Sequence, residues 1–290
     1  LSYISFSLSS IVTSVKFHYL LTGWYQSIGP CHIAGSDSSG GAGIQADLKA
    51  FSALGAYGAS VITAITAQNT RSVTAVHEIP VDMVFAQIRA VLDDLEVDAI
   101  KIGMLSSADI IQTVCNALTD FERAIVVDPV MVAKSGDLLL QQSAIESLKS
   151  DLLPRASLIT PNLPEAAQLL GCGLATDQAS MLAQGQALLE LGTSAVLVKG
   201  GHGRGSECID LLVTRSNPVE SYRAARIDTR NTHGSGCTLS ASIAAFLANG
   251  LPLHESVKRA HSYLQASIKA ADNLQIGQGH GPVHHFHRQW

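Results

Sequence analysis

CHIAGSDSSGGAGIQADLKAFSALGAYG, residues 31–58, reads as a short strand, a Gly/Ser-rich loop and a helix. Ile44, Leu48 and Phe51 fall at i, i+4 and i+7 and share one helical face, with Gly55 near the helix end. A glycine-rich turn between strand and helix is where α/β proteins receive small ligands. This loop is not a Walker A sequence, because no Gly-Lys-Ser/Thr follows, and it is not GxGxxG.

The alternation continues downstream. ASVITAITAQNT (59–70) is a β-rich run that ends in the amides Gln68 and Asn69. Residues 81–95 are helical, with Val81, Val84, Phe85, Ile88, Leu92 and Leu95 on one side. AIKIGM (99–104) is a buried strand, followed by a helix over 107–119. AIVVDPVM (124–131) is a strand ending at Asp128-Pro129, and a helix over 141–152 follows. SLITPNLPEAAQLLG (157–171) begins as a strand whose end carries Asn162 and Glu165. A helix over 177–191 leads to AVLVKGGHG (195–203), a strand ending in Lys199-Gly200-Gly201. Short β segments near 207–213 and 219–227 and a last helix over 253–272 complete the pattern. Repeated strand–helix units predict a three-layer α/β/α sandwich with a mostly parallel sheet. In such a sheet the binding crevice lies at the C-terminal strand ends. Those ends carry Asp37, Gln68, Met104, Asp128, Asn162, Glu165 and Lys199.

Residues 228–250, DTRNTHGSGCTLSASIAAFLANG, are where that crevice gains its chemistry. Leu239, Ile243, Phe246 and Leu247 mark a helix, stopped by Asn249-Gly250 and Pro252. Gly234-Ser235-Gly236 stands where this helix begins, so its amides and the helix dipole face an anion. Cys237 at that position is expected to have a lowered pKa. A tight turn followed by a small buried hydrophobe is the plainer reading of the same residues.

The chain has 290 residues, 47% of them hydrophobic and 15% charged, and a net charge of −5. That balance excludes a basic surface for nucleic acid or anionic membrane. The five cysteines (31, 115, 172, 208 and 237) form no CxxC pair and no disulfide framework, which points to a reducing compartment, the cytoplasm. No apolar run reaches membrane-spanning length. Residues 1–29 are rich in serine and aromatics and lack acidic residues and a clear period. They are expected to be an extension outside the fold, with a single domain over 30–290.

Taken together, residues 33–70, KIGML (101–105), DPVMVAKSGD (128–137), TPNLPEA (160–166), VLVKGGH (196–202) and NTHGSGCTLSASIAA (231–245) resemble one family in order and content. It is the hydroxymethylpyrimidine/phosphomethylpyrimidine kinase family of thiamine biosynthesis, in the ribokinase-like superfamily. The resemblance reaches GPVHHF (281–286) near the C-terminus. It implies ATP as donor, Mg²⁺, commonly a homodimer, and two successive phosphorylations of 4-amino-5-hydroxymethyl-2-methylpyrimidine.

The resemblance also implies roles. Gly234, Ser235, Gly236 and Cys237 would form the anion hole, with Cys237 as base for the first step. Lys199 would contact ATP phosphates, and Asp128 would lie near the phosphates and metal. Asn162 and Glu165 would organise Mg²⁺, Glu165 partly through water, although Asn-x-x-Glu also reads as a helix cap. Gln68 would meet the pyrimidine edge, with Ala42, Met104 and Val130 lining its pocket. Asp47 matches a family position but could equally be solvated or capping on its helix.

Two departures stand out. Ser38 replaces a frequent proline and is expected to loosen the loop. Pro30 interrupts the first strand, so pairing is expected to begin only at Cys31. His280, His284, His285 and His287 in the tail take a structural reading by default. A pyridoxal-type kinase of the same superfamily is the nearest alternative function, and a silent pyrimidine-binding protein is the alternative from another class.

Overall fold

Apolar runs of strand length, each followed by a helix, assemble here into one central sheet. The computed structural model describes residues 29–131, 140–141, 143–201, 203 and 205–290. Among the described residues nine strands run in the spatial order β3-β2-β1-β4-β5-β6-β7-β8-β9. They are β1 Gly29–Asp37, β2 Ala59–Gln68, β3 Val73–Glu78, β4 Val97–Ile102, β5 Ala124–Val127, β6 Leu158–Ile159, β7 Ala195–Val198, β8 Glu207–Thr214 and β9 Glu220–Ala225. The six strands β2-β1-β4-β5-β6-β7 pair in parallel. Antiparallel β3 closes one edge and β8–β9 the other.

Strand period 2 divides the core. Ile100 and Ile102 of β4 face one cluster, together with Ile33, Val127 and Val198. That cluster is covered by α2 (Val81–Leu92), α3 (Ala108–Ala117), α4 (Ala144–Ser147), α5 (Leu163–Leu170) and α6 (Gln178–Leu189). Ala99, Val126 and Leu197 face the other cluster. Its cover is α1 (Gly43–Ala53), α7 (Ser235–Ala248) and α8 (Leu253–Lys269). A parallel sheet buried on both faces is what continuous apolar strands produce. The layout is the expected three-layer α/β/α sandwich. No described helix is long and apolar enough to cross a membrane.

Several expectations need correction. β3 is a strand that the sequence pattern did not reveal, because all its residues are exposed or only partly buried. On α2, Val84 and Ile88 are buried, but Val81 and Phe85 are exposed, as is Leu95 beyond its end, so the apolar stripe is wider than the buried face. The helix over 141–152 is one α turn followed by a π turn and a 3₁₀ turn. Pro30 lies within β1, whose pairing with β4 starts at Gly29↔Val97 and slips in register at Pro30. Pairing with β2 does begin at Cys31↔Ala59. A missing N–H is tolerated at the start of a strand. Gly29 therefore belongs to the sheet and not to the extension; residues 1–28, to which the extension reading applies, lie outside the described residues, as do 132–139, 142, His202 and Arg204.

Candidate active site

The sheet order reverses direction at β1, between β2 and β4, and such switch points hold ligands beyond the C-terminal strand ends. A cavity of about 1000 Å³ lies there. All twelve residues expected in the site line it: Ala42, Gln68, Met104, Asp128, Val130, Asn162, Glu165, Lys199, Gly234, Ser235, Gly236 and Cys237.

Gly234 begins α7 with φ +76°, a left-handed conformation open to glycine at little cost. A Cβ there would stand 1.8 Å from the carbonyl oxygen of Gly41, so two backbone loops meet with no room between them. The Ser235 N–H is already committed to the Thr232 carbonyl at 3.2 Å. That leaves the amides of Gly236 and Cys237 as first-turn donors with no partner among the described bonds. The meeting of the loops is pinned by Asp37. Its Oδ1 accepts from the Ser39 N–H (2.8 Å) and hydroxyl (2.7 Å), and its Oδ2 accepts from the N–H groups of Gly41 (3.1 Å) and Ala42 (2.8 Å). His233 Nε2 lies 2.8 Å from the same Oδ2. The Ala42 methyl cannot cap α1, and Asp37 Oδ2 holds the Ala42 N–H just before the helix from across the loop. Burial raises the Asp37 pKa, but these partners outweigh it and hold it near about 2.

That depression has a sign. A carboxyl with a folded pKa below its unfolded value stabilises fully above the unfolded value and loses the contribution as pH falls through the folded one. Asp37→Asn is therefore expected to be less stable than the parent at pH 7, with the gap shrinking between about pH 4 and pH 2. Urea denaturation at several pH values measures it, and a gap independent of pH would reject the assignment.

Asp128, Lys199 and Glu165 make a charged wall. Lys199 Nζ lies 2.7 Å from Asp128 Oδ1, which also accepts from the Thr160 hydroxyl at 3.0 Å. Burial pushes the Asp128 carboxyl up, yet Lys199 and Lys101 hold it below its ordinary value. Asn162 and Glu165 form a reciprocal capping box on α5: the Glu165 N–H donates to Asn162 Oδ1 at 2.9 Å and the Asn162 N–H to Glu165 Oε2 at 2.8 Å. Both the cap reading and the cavity-lining reading of this pair hold. Burial raises the Glu165 pKa to about 7, opposed by Lys199 and reinforced by Asp128.

Cys237 corrects an expectation. Its thiol is pushed up to about 11, not down, because burial outweighs the pull of Lys101 and of the Gly43 N–H. Asp47 corrects another: it is fully buried, neither solvated nor capping, and both its oxygens accept from Lys101 Nζ at 3.0 and 2.8 Å.

Ser38 does not loosen its loop. Its hydroxyl donates to the Gln68 carbonyl (2.7 Å) and accepts from the Gln68 N–H (2.9 Å), fixing that backbone. Gln68 Oε1 accepts from the Thr66 hydroxyl at 3.1 Å. The Met104 carbonyl accepts from the Thr63 hydroxyl at 2.8 Å. Across the cavity, Asp210 accepts from the Gly200 N–H at 2.8 Å. The Arg226 guanidinium donates to the carbonyls of Gly201 (2.9 Å), Gly203 (2.8 Å) and Gly205 (2.8 Å), shaping the loop after Lys199. The tail is structural: His285 Nε2 meets the Thr238 hydroxyl at 2.9 Å, and the His233 N–H donates to the Gly281 carbonyl at 3.0 Å. No metal-holding group of three His, Cys, Asp or Glu exists among the described residues.

Lys101, His233, Asp210 and Arg226 were not expected in the site. Lys101 carried a signal, a lone lysine inside the apolar run AIKIGM (99–104); the other three carried none.

Helix-terminal amides and lysines facing carboxylates across one cavity suit a polyphosphate and a migrating phosphoryl group. On this sheet they define a small-molecule kinase of the ribokinase-like class. The family model for phosphomethylpyrimidine kinase matches residues 37–284. The hydroxymethylpyrimidine/phosphomethylpyrimidine kinase of Rhizobium meliloti is 58% identical over 258 residues, covering 89% of this chain and 97% of that one. The crystal structure of phosphomethylpyrimidine kinase from Clostridium difficile is 44% identical, with a TM-score of 0.73 over 83% of this chain and 99% of that one. An ADP complex of Bacillus subtilis pyridoxal kinase is 35% identical, with a TM-score of 0.83 over 90% and 99%. The chain belongs to the phosphomethylpyrimidine kinase family.

Proposed function

We propose that this protein transfers the γ-phosphoryl group of ATP to the hydroxymethyl of 4-amino-5-hydroxymethyl-2-methylpyrimidine, and then a second one to the monophosphate, in thiamine biosynthesis. One observation carries the reading. The anion-hole turn and Cys237 share a single cavity with Gln68, Met104 and Val130, so a flat ring and a triphosphate end can meet there. Gln68 reads the ring edge, and Ala42, Met104 and Val130 line its faces. Lys199 neutralises the transferring phosphates, and the Gly236 and Cys237 amides receive the phosphoryl oxygens.

Mg²⁺ fits the donor set. Asp128 and Glu165 face the cavity as like charges, Asp128 pushing the Glu165 pKa up, and no protein cage surrounds them among the described residues. An ion that borrows phosphate oxygens and waters suits few carboxylates. Glu165 would hold it, partly through water, with Asn162 orienting that carboxylate and Asp128 nearby. The bound ion supplies charge neutralisation at the phosphates.

Mass spectrometry of products from Mg-ATP and the pyrimidine tests the proposal. Diphosphate is expected; monophosphate alone would favour the second reading, a pyridoxal-type kinase, which the likeness of fold supports. Within the two steps Cys237 is the base for the first, because a neutral hydroxyl must lose a proton whereas the second acceptor is already anionic. Cys237→Ala is expected to slow the first phosphorylation by about 100-fold or more and the second by less than about tenfold. Equal losses would reduce Cys237 to positioning. We further read the enzyme as a cytoplasmic homodimer; exposed Ile65, Val76, Val81, Met83 and Phe85 support an apolar surface for self-association. Sedimentation as a single chain at micromolar concentration would reject the dimer.

A further inference from the structure

Lys101 has no part in the reading above, yet its placement is costly. On β4, Ile100 and Ile102 point into one apolar cluster, and the pleat turns Lys101 to the other face, beneath α1 and α7. Its side chain is 0% exposed, as is that of its partner Asp47. A buried ion pair seldom adds stability over apolar residues of the same size, so packing alone gives no reason for it. Room has been left for the ammonium: a Cβ on Gly103 would stand 2.8 Å from Lys101 Nζ. Behind Asp47 lies His32, 0% exposed, its Nδ1 4.0 Å from Asp47 and neither ring nitrogen hydrogen-bonded among the described residues. Burial and Lys101 hold His32 neutral, down near about 3, so Asp47 faces one cation and one neutral ring. Lys101 and Cys237 line the same cavity.

We propose that Lys101, braced by Asp47, is a positioning residue for the first phosphorylation, holding positive charge in the cavity that Cys237 lines and so favouring the thiolate that takes the acceptor's proton. This rests on the reading of Cys237 as base. In the step the acceptor O–H bond breaks and its proton forms an S–H bond. The freed oxygen pair forms the new bond to phosphorus as the bond from phosphorus to the departing ADP oxygen breaks. The second phosphorylation has no such proton to remove and does not draw on Lys101 in this way.

The charged groups that act on Cys237 are Lys101 from β4, Asp47 from α1, Asp128 after β5 and Lys199 after β7. Lys101 pulls the thiol down; Asp47 and Asp128 push it up. Lys199 is engaged by Asp128 at 2.7 Å and is assigned to phosphate. The two members of the buried pair act on Cys237 with opposite sign, so neutralising each is expected to move the thiol in opposite directions.

The test is the rate of iodoacetamide labelling at Cys237 in the full chain without substrates, resolved by peptide mass spectrometry across pH. Lys101→Met is expected to slow labelling at pH 8 by about tenfold, the factor that one pKa unit gives. Asp47→Asn is expected to speed it several-fold, and the double variant to return close to the parent. First-step turnover should follow the same order while second-step turnover moves less. Labelling unchanged in Lys101→Met, or both single variants shifting the same way, overturns the inference. Should Lys101→Met fail to fold, Asp47→Asn decides alone: no acceleration overturns it. Equal loss of both steps in Cys237→Ala would instead remove the base reading while leaving the labelling result to stand.

Discussion

Lys199→Met is expected to lower kcat/KM for both phosphorylations by about 10³-fold, because one deletion does two things to the same phosphates. It removes the ammonium assigned to the transferring group. It also uncovers Asp128, now 2.7 Å from that ammonium and 1% exposed, so that a buried carboxylate repels the incoming triphosphate. The two effects share a direction. Lys199→Arg is expected to rescue little, since the planar guanidinium replaces a compact point charge in a space walled by Asp128 and Gly236. Steady-state kinetics with each acceptor measures the loss, and circular dichroism checks that the fold persists. Losses within tenfold of the parent would remove Lys199 from phosphoryl transfer.

Gly234→Ala should be the most damaging single methyl group in the site. The left-handed φ of +76° costs a side chain about 1–2 kcal/mol. The Cβ would also fall 1.8 Å from the Gly41 carbonyl oxygen and 3.2 Å from Ala42 Cα. Neither loop can give way freely, because Asp37 ties Gly41 and Ala42 to His233. A total near 3 kcal/mol or more is expected, with both phosphorylations falling by about 100-fold as the anion hole shifts. Gly250→Ala is the control. It has φ +78° but nothing within 4 Å of the added Cβ, so about 1 kcal/mol and unchanged activity are expected. Denaturant unfolding and kinetics of the pair separate the clash from the backbone term. Equal stability losses in both variants would mean that the Gly41 contact carries no energy.

Helix-to-strand alternation was legible because both periods are local. Core alternation along β4, β5 and β7 follows from residues two apart, and the helical stops at Gly and Pro from a few residues more. The strand-end polar residues were legible for a related reason: a parallel sheet sends every C-terminal end to one side. Elements without a buried face escaped. β3 is an edge strand with no buried residue.

The amino-acid sequence by itself determined the layer architecture, the side of the sheet that holds the site, and the glycine turn at the start of α7. Each depends on neighbours within a helix turn or a strand. Only the tertiary structure decided which charges meet. Asp47 and Lys101 are 54 residues apart and Asp37 and His233 are 196 apart, so their contacts arise from strand order and packing. The Cys237 thiol shows the difference most plainly. A helix N-terminus, a local feature, predicts a lowered pKa, but the fold half-buries Cys237 within reach of the charges of Lys101, Asp47 and Asp128, and desolvation, which is set by everything packed around it, raises it.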